Sequence, residues 1–187
     1  NDSMKSEMPF RILVFISTIL VSALVSAYEQ AYTKASVDDV EVLVLPKSTW
    51  IATEIEGGYF QSSDVLFRRL FDYIKANEIS MTVPVEARLE NAEMRFHLPS
   101  GKGAVPDTSL IQVREKGVRH VARLGGEGSY SKDNIAPVLS RLEAWVATTP
   151  EWHADGPAYA VFWDGPFTPW FMKKFEVHIV VQRSEKN

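Results

Sequence analysis

Two helical stripes, each led in by a strand and a glycine pair, set what this chain can fold into. The first unit runs from a strand-like stretch at residues 49–56 through Gly57 and Gly58 to a stripe at Leu66, Phe67, Leu70, Phe71 and Ile74. The second runs from residues 118–124 through Gly125 and Gly126 to a stripe at Ile135, Val138, Leu139, Leu142, Trp145 and Val146. The two units lie about seventy residues apart, which suggests a duplicated α+β unit. Other strand-like runs fall at residues 40–45, 81–89, 93–98, 109–114, 158–163 and 174–182. Two helices cannot cover both faces of a parallel sheet of that size. The expected fold is therefore α+β: a distorted, mainly antiparallel β-barrel with two helices and a pseudo-twofold duplicated unit. Ser62, Ser63 and Asp64 are the expected caps of the first helix, which stops near Asn77; the second is expected over residues 132–148.

Ahead of this pattern, Lys5 and Arg11 precede an apolar run at residues 12–27 that ends Val25-Ser26-Ala27. Small residues at those last positions suit signal-peptidase cleavage. A helix of that run spans about 24 Å, less than the roughly 30 Å hydrocarbon core. Residues 1–27 are thus expected to be a signal peptide, or, with residues 10–28 as the span, an uncleaved membrane anchor. Residues 28–187 form the folded domain. Either way the positive flank places the domain on the non-cytoplasmic side, exported or tethered.

Composition narrows the chemistry. The chain has 187 residues, a formal charge of −4 and no cysteine. The acidic balance argues against a nucleic-acid partner, which calls for a basic footprint. The lack of cysteine excludes disulfides, thiolate metal sites and a cysteine nucleophile. His97, His120, His153 and His178 show no metal-binding spacing. Strand alternation puts His97 and His178 away from their apolar neighbours, so both are expected in solvent, whereas His120 shares a face with Val118, Ala122 and Leu124 and is expected to be buried. The carboxylates read as helix-surface and turn residues, and the glycines at residues 125–128 as a helix entry. No catalytic acid, base, nucleophile or metal set assembles, and the expectation is a protein that is not an enzyme.

The unusual segment is the loop at residues 164–172, which is rich in proline and aromatic side chains. Loops are ordinarily polar and exposed. A loop of this composition either plugs the core or walls an apolar pocket.

Two blocks resemble the SOUL/haem-binding-protein family. One is Phe67-Arg68-Arg69-Leu70-Phe71-Asp72-Tyr73-Ile74-Lys75-Ala76-Asn77 with Ile79-Ser80-Met81-Thr82-Val83-Pro84-Val85; the other is residues 159–177. The resemblance implies a barrel of two pseudo-equivalent halves that binds haem or a related tetrapyrrole without catalysis. The implied pocket lies between the first helix and the loop before the last strand. It draws on Phe67, Arg68, Leu70, Phe71, Ile74, Met81, Phe167, Trp170, Phe171, Met172 and Lys173, with Arg69 and Lys174 as further partners for propionates. Some family members place an iron-ligating histidine in the early strands. Residues 40–56 hold none here, so a strong protein ligand to iron is not expected. The same layout also looks like bacterial effector-binding domains. The alternative reading is accordingly a module for another bulky hydrophobic molecule or for a protein partner.

Overall fold

A computed structural model describes residues 29–165 and 167–184. The chain order is β1 (Glu29–Gln30), β2 (Glu41–Leu45), β3 (Ser48–Glu54), α1 (Tyr59–Ala76), β4 (Thr82–Val83), β5 (Val85–Arg88), β6 (Glu93–His97), β7 (Gln112–Lys116), β8 (Arg119–Glu127), α2 (Lys132–Thr148), β9 (Trp152–Ala154), β10 (Tyr159–Phe162) and β11 (Lys174–Arg183), with a 3-10 turn at Trp170–Met172. The expected run at residues 81–89 is two strands, separated at the cis Val83–Pro84 peptide.

The main sheet is antiparallel and ordered β2-β8-β11-β10-β5-β6-β3-β7, with β9 pairing beside β11. Its edges β2 and β7 do not meet, so it curls into an open half-barrel. The order is symmetric about the central β10–β5 pair. Half one contributes β2, β3, β5 and β6; half two contributes β7, β8, β10 and β11. Each half lends its first strand to the other: β2 pairs with β8, and β7 with β3. Local bonds repeat as well. Ile55 N–H donates to the Ala92 carbonyl in one half, and Gly128 N–H to the Lys173 carbonyl in the other. The duplication read from the sequence is present.

Both helices pack on one face of this sheet. Ile51, Phe96, Val85, Phe162 and Phe175 lie side by side across five strands of that face. Leu66 and Leu70 of α1 and Ile135 and Leu142 of α2 close the core over them. Helix α1 starts earlier than expected. Gly58 is its N-cap, not Ser62, Ser63 or Asp64, and Tyr59 in its first turn is buried. Helix α2 spans the expected residues, capped by the Ser131 side chain, which accepts from Asn134 N–H. The Gly125-Gly126 pair is not a helix entry. Both residues lie within β8. A Cβ on Gly125 would sit 2.7 Å from the Ser36 carbonyl oxygen, and one on Gly126 would sit 2.4 Å from the Phe175 ring. These glycines admit close neighbours.

The opposite face corrects the histidine expectations. Directly paired across it are Ala52, Arg95, Glu86, Val161 and Glu176. His97 and His178 stand on the same face and are 5% and 0% exposed. Alternation gave their direction correctly, but that face is covered by residues 29–36, a strap whose Tyr32 ring lies against His97, Trp163 and His178. Glu86, Glu93 and Glu176 are buried there too, contrary to the expectation that carboxylates line surfaces and turns. His120, expected inside, is exposed and lies beside the Trp152 ring at 5.2 Å between centroids. The N-terminal signal or anchor lies outside the described residues. Among the described residues, no helix is long and apolar enough to cross a membrane.

Candidate functional site

Helix α1 presents two sides. Leu70 and Ile74 point into the core and are 0% and 3% exposed, so they support the helix from beneath. Phe67 is half-buried, edge-on to Phe96, and stacks on Phe71, which is 42% exposed. Arg68 is exposed, and Met81 is half-buried against the core. The resulting surface is an aromatic ledge.

The β10–β11 loop does not plug the core. Phe167, Trp170, Phe171 and Met172 are 98%, 67%, 62% and 58% exposed. The base of the loop is anchored firmly. Tyr130 stacks on Phe162 at 4.4 Å, and its hydroxyl accepts from Asp164 N–H at 2.7 Å. Lys173 Nζ lies 4.9 Å over the Tyr130 ring. A rigid base thus carries an apolar tip into solvent, where exposed aromatic groups mark a binding surface. Of the four cations expected at a rim, Arg69 donates to the Glu54 carbonyl and Lys174 pairs with Glu127. Arg68 and Lys173 make no ion pair among the described residues.

The second half repeats this geometry with a different outcome. Leu142 and Val146 are buried at the same spacing on α2 as Leu70 and Ile74 on α1. Leu139 and Glu143 are therefore the counterparts of Phe67 and Phe71. The counterpart of the long aromatic loop is the short β5–β6 turn, residues 89–92, which cannot reach across. A cavity of about 600 Å³ lies there, between α2, Leu89, Glu90 and β9, with Trp152 and His153 on its wall. Its size suits a small-molecule site. The sequence reading missed it because nothing in a turn's composition announces the volume it leaves empty.

The strap-covered face holds the strongest electrostatics. His97 Nε2 and Arg95 Nη1 lie 2.9 and 3.6 Å from the Glu86 carboxylate. Burial raises the Glu86 pKa, but His97, Arg119 and Arg95 outweigh it and bring it down to about 2. Burial likewise opposes ionisation of Glu176, yet His178 at 2.6 Å and Ala35 N–H at 2.7 Å hold its pKa below the usual range. Trp163 Nε1–H donates to the same carboxylate at 2.6 Å. Each carboxylate is thus held ionised and partnered, a structural arrangement. Among the described residues, no group of three potential ligands is placed to hold a metal ion.

The family model for the SOUL heme-binding protein matches residues 27–180. The chain belongs to the SOUL haem-binding protein family. Among curated proteins, none matches it. Among solved structures, this SOUL chain is similar to the EcmrR C-terminal domain, with 12% identity, TM-score 0.63, and coverage of 78% of this chain and 98% of that one. It is also similar to EcmrR in a DNA complex, again at 12% identity and TM-score 0.63, where 78% of this chain covers 58% of that one. A hydrolase from Listeria innocua is similar at 11% identity and TM-score 0.56, over 80% of this chain and 94% of that one. At these identities the likeness is one of fold. The SOUL family is a binding family, which agrees with the α+β half-barrel and its two helices.

Proposed function

We propose that this chain binds haem or a related tetrapyrrole without catalysing a reaction on it. The observation that carries the reading is the family match across residues 27–180. The ring would lie on the ledge of Phe67 and Phe71, met by Phe167, Trp170, Phe171 and Met172 from the loop. A porphyrin is a broad, flat, apolar ring, suited to aromatic and thioether side chains. Arg68 and Lys173 would meet its propionates. Bound haem supplies iron and a redox-active macrocycle. The ledge itself offers no imidazole, because His97 and His178 are spent in carboxylate pairs on the opposite face. Residues 1–27 would deliver or tether the domain on the non-cytoplasmic side of a membrane.

The test is a hemin titration of the purified chain followed by its Soret band. A shift is expected, and it should weaken in Phe71→Ala and in Phe171→Ala while their melting temperatures hold. No shift, together with unquenched Trp170 emission, would overturn the reading. The exposed loop would then be better explained as a contact for another apolar molecule or a protein.

A further inference from the structure

We propose that the cavity beside α2 is a second ligand site, one that takes an apolar molecule carrying a cationic group. Pseudosymmetry locates it as the counterpart of the α1 ledge, on the side where the β5–β6 turn is short. Its floor is apolar: Ile135, Leu139 and Val146 from α2 face Val177 and Ile179 of β11. Its charge has one sign. Glu90 and Glu143 line it, neither makes an ion pair among the described residues, and no lysine or arginine is on its wall. Trp152 adds an aromatic wall, with the Arg183 guanidinium, itself paired with Glu151, 6.0 Å from its ring centroid.

The same charges exclude the ligand proposed for α1. A tetrapyrrole brings carboxylates, and two free carboxylates at the entrance repel them. Where Phe71 stands on α1, Glu143 stands on α2. The duplicated fold therefore offers two crevices of opposite preference, an aromatic ledge with Arg68 and Lys173 on one side and an acidic-lipped pocket on the other.

The probe is (1-naphthylmethyl)trimethylammonium, with 1-naphthylacetate as its anionic counterpart, each titrated calorimetrically into the purified chain. The cation is expected to bind and to outcompete the anion by about tenfold, a preference that fades with added salt. The double variant Glu90→Gln/Glu143→Gln should erase the preference without changing the melting temperature, since both side chains are exposed. Ala147→Trp, at the exposed rim, should block the cation and leave the hemin titration unaltered. Equal binding of cation and anion, or a preference that survives the double variant, would overturn the proposal. So would loss of the hemin signal in Ala147→Trp, which would put the tetrapyrrole in this cavity instead. Failure of hemin to bind any form leaves the cation measurement intact, so the two readings fail separately.

Discussion

His97 Nε2 and Glu86 Oε1 lie 2.9 Å apart on neighbouring strands, both side chains almost fully buried. An ionised carboxylate in that position needs every partner it has, and Arg95 and Arg119 complete the set. Folding depresses the Glu86 pKa from 4.5 to about 2. The sign follows directly: stability from this group is complete above pH 4.5 and is lost as the pH falls towards 2. Thermal melts should therefore decline across that interval. Glu86→Gln leaves His97 and the Arg95 and Arg119 guanidiniums facing a neutral amide. It should cost about 3–5 kcal/mol at pH 7, and the gap to the parent should narrow on acidification. A gap that stays constant down to pH 2 would show that Glu86 is not the titrating group.

Tyr32→Ala tests the strap. The ring covers His97, His178 and Trp163. Its loss should admit water to the carboxylate pairs and destabilise the fold by about 2–4 kcal/mol. Amide exchange should speed up in β6 and β11 more than in α1. Uniform acceleration throughout the chain would argue that the strap is not a local cover.

Two glycines should behave oppositely. Gly126→Ala drives a methyl into the Phe175 ring and should cost about 1–3 kcal/mol. Gly165→Ala meets nothing within 4 Å, so its denaturant midpoint should match the parent. Equal midpoints for the two variants would contradict the packing described at β8.

Adjacent residues on α1 should likewise part company. Leu70→Ala opens the core and should cost about 2–5 kcal/mol. Phe71→Ala removes an exposed ring and should cost under about 1 kcal/mol. Urea unfolding of the two variants makes the comparison.

The helices, their spacing and most strands were legible because a stripe or an alternation records which side chains meet the core. Leu66, Leu70 and Leu142 announce themselves in that way. His97 and His178 did not, because alternation gives a direction and not a cover, and the cover comes from residues 29–36, far away in sequence. The same gap hid the strand at Trp152–Ala154, which is too short to show a period. It also disguised Gly125 and Gly126, whose neighbours are distant carbonyl and ring atoms. At the ledge, the aromatic loop was visible by composition, and its exposure was not. Leu70 and Ile74 were grouped with the ligand face because the family block runs through them, yet the helix turns them inward.

The exchange of first strands leaves neither half able to complete its own sheet. The two halves are therefore bound to open together, as one cooperative unit, although the crevices beside their helices have parted in chemistry, with Phe71 on one and Glu143 on the other.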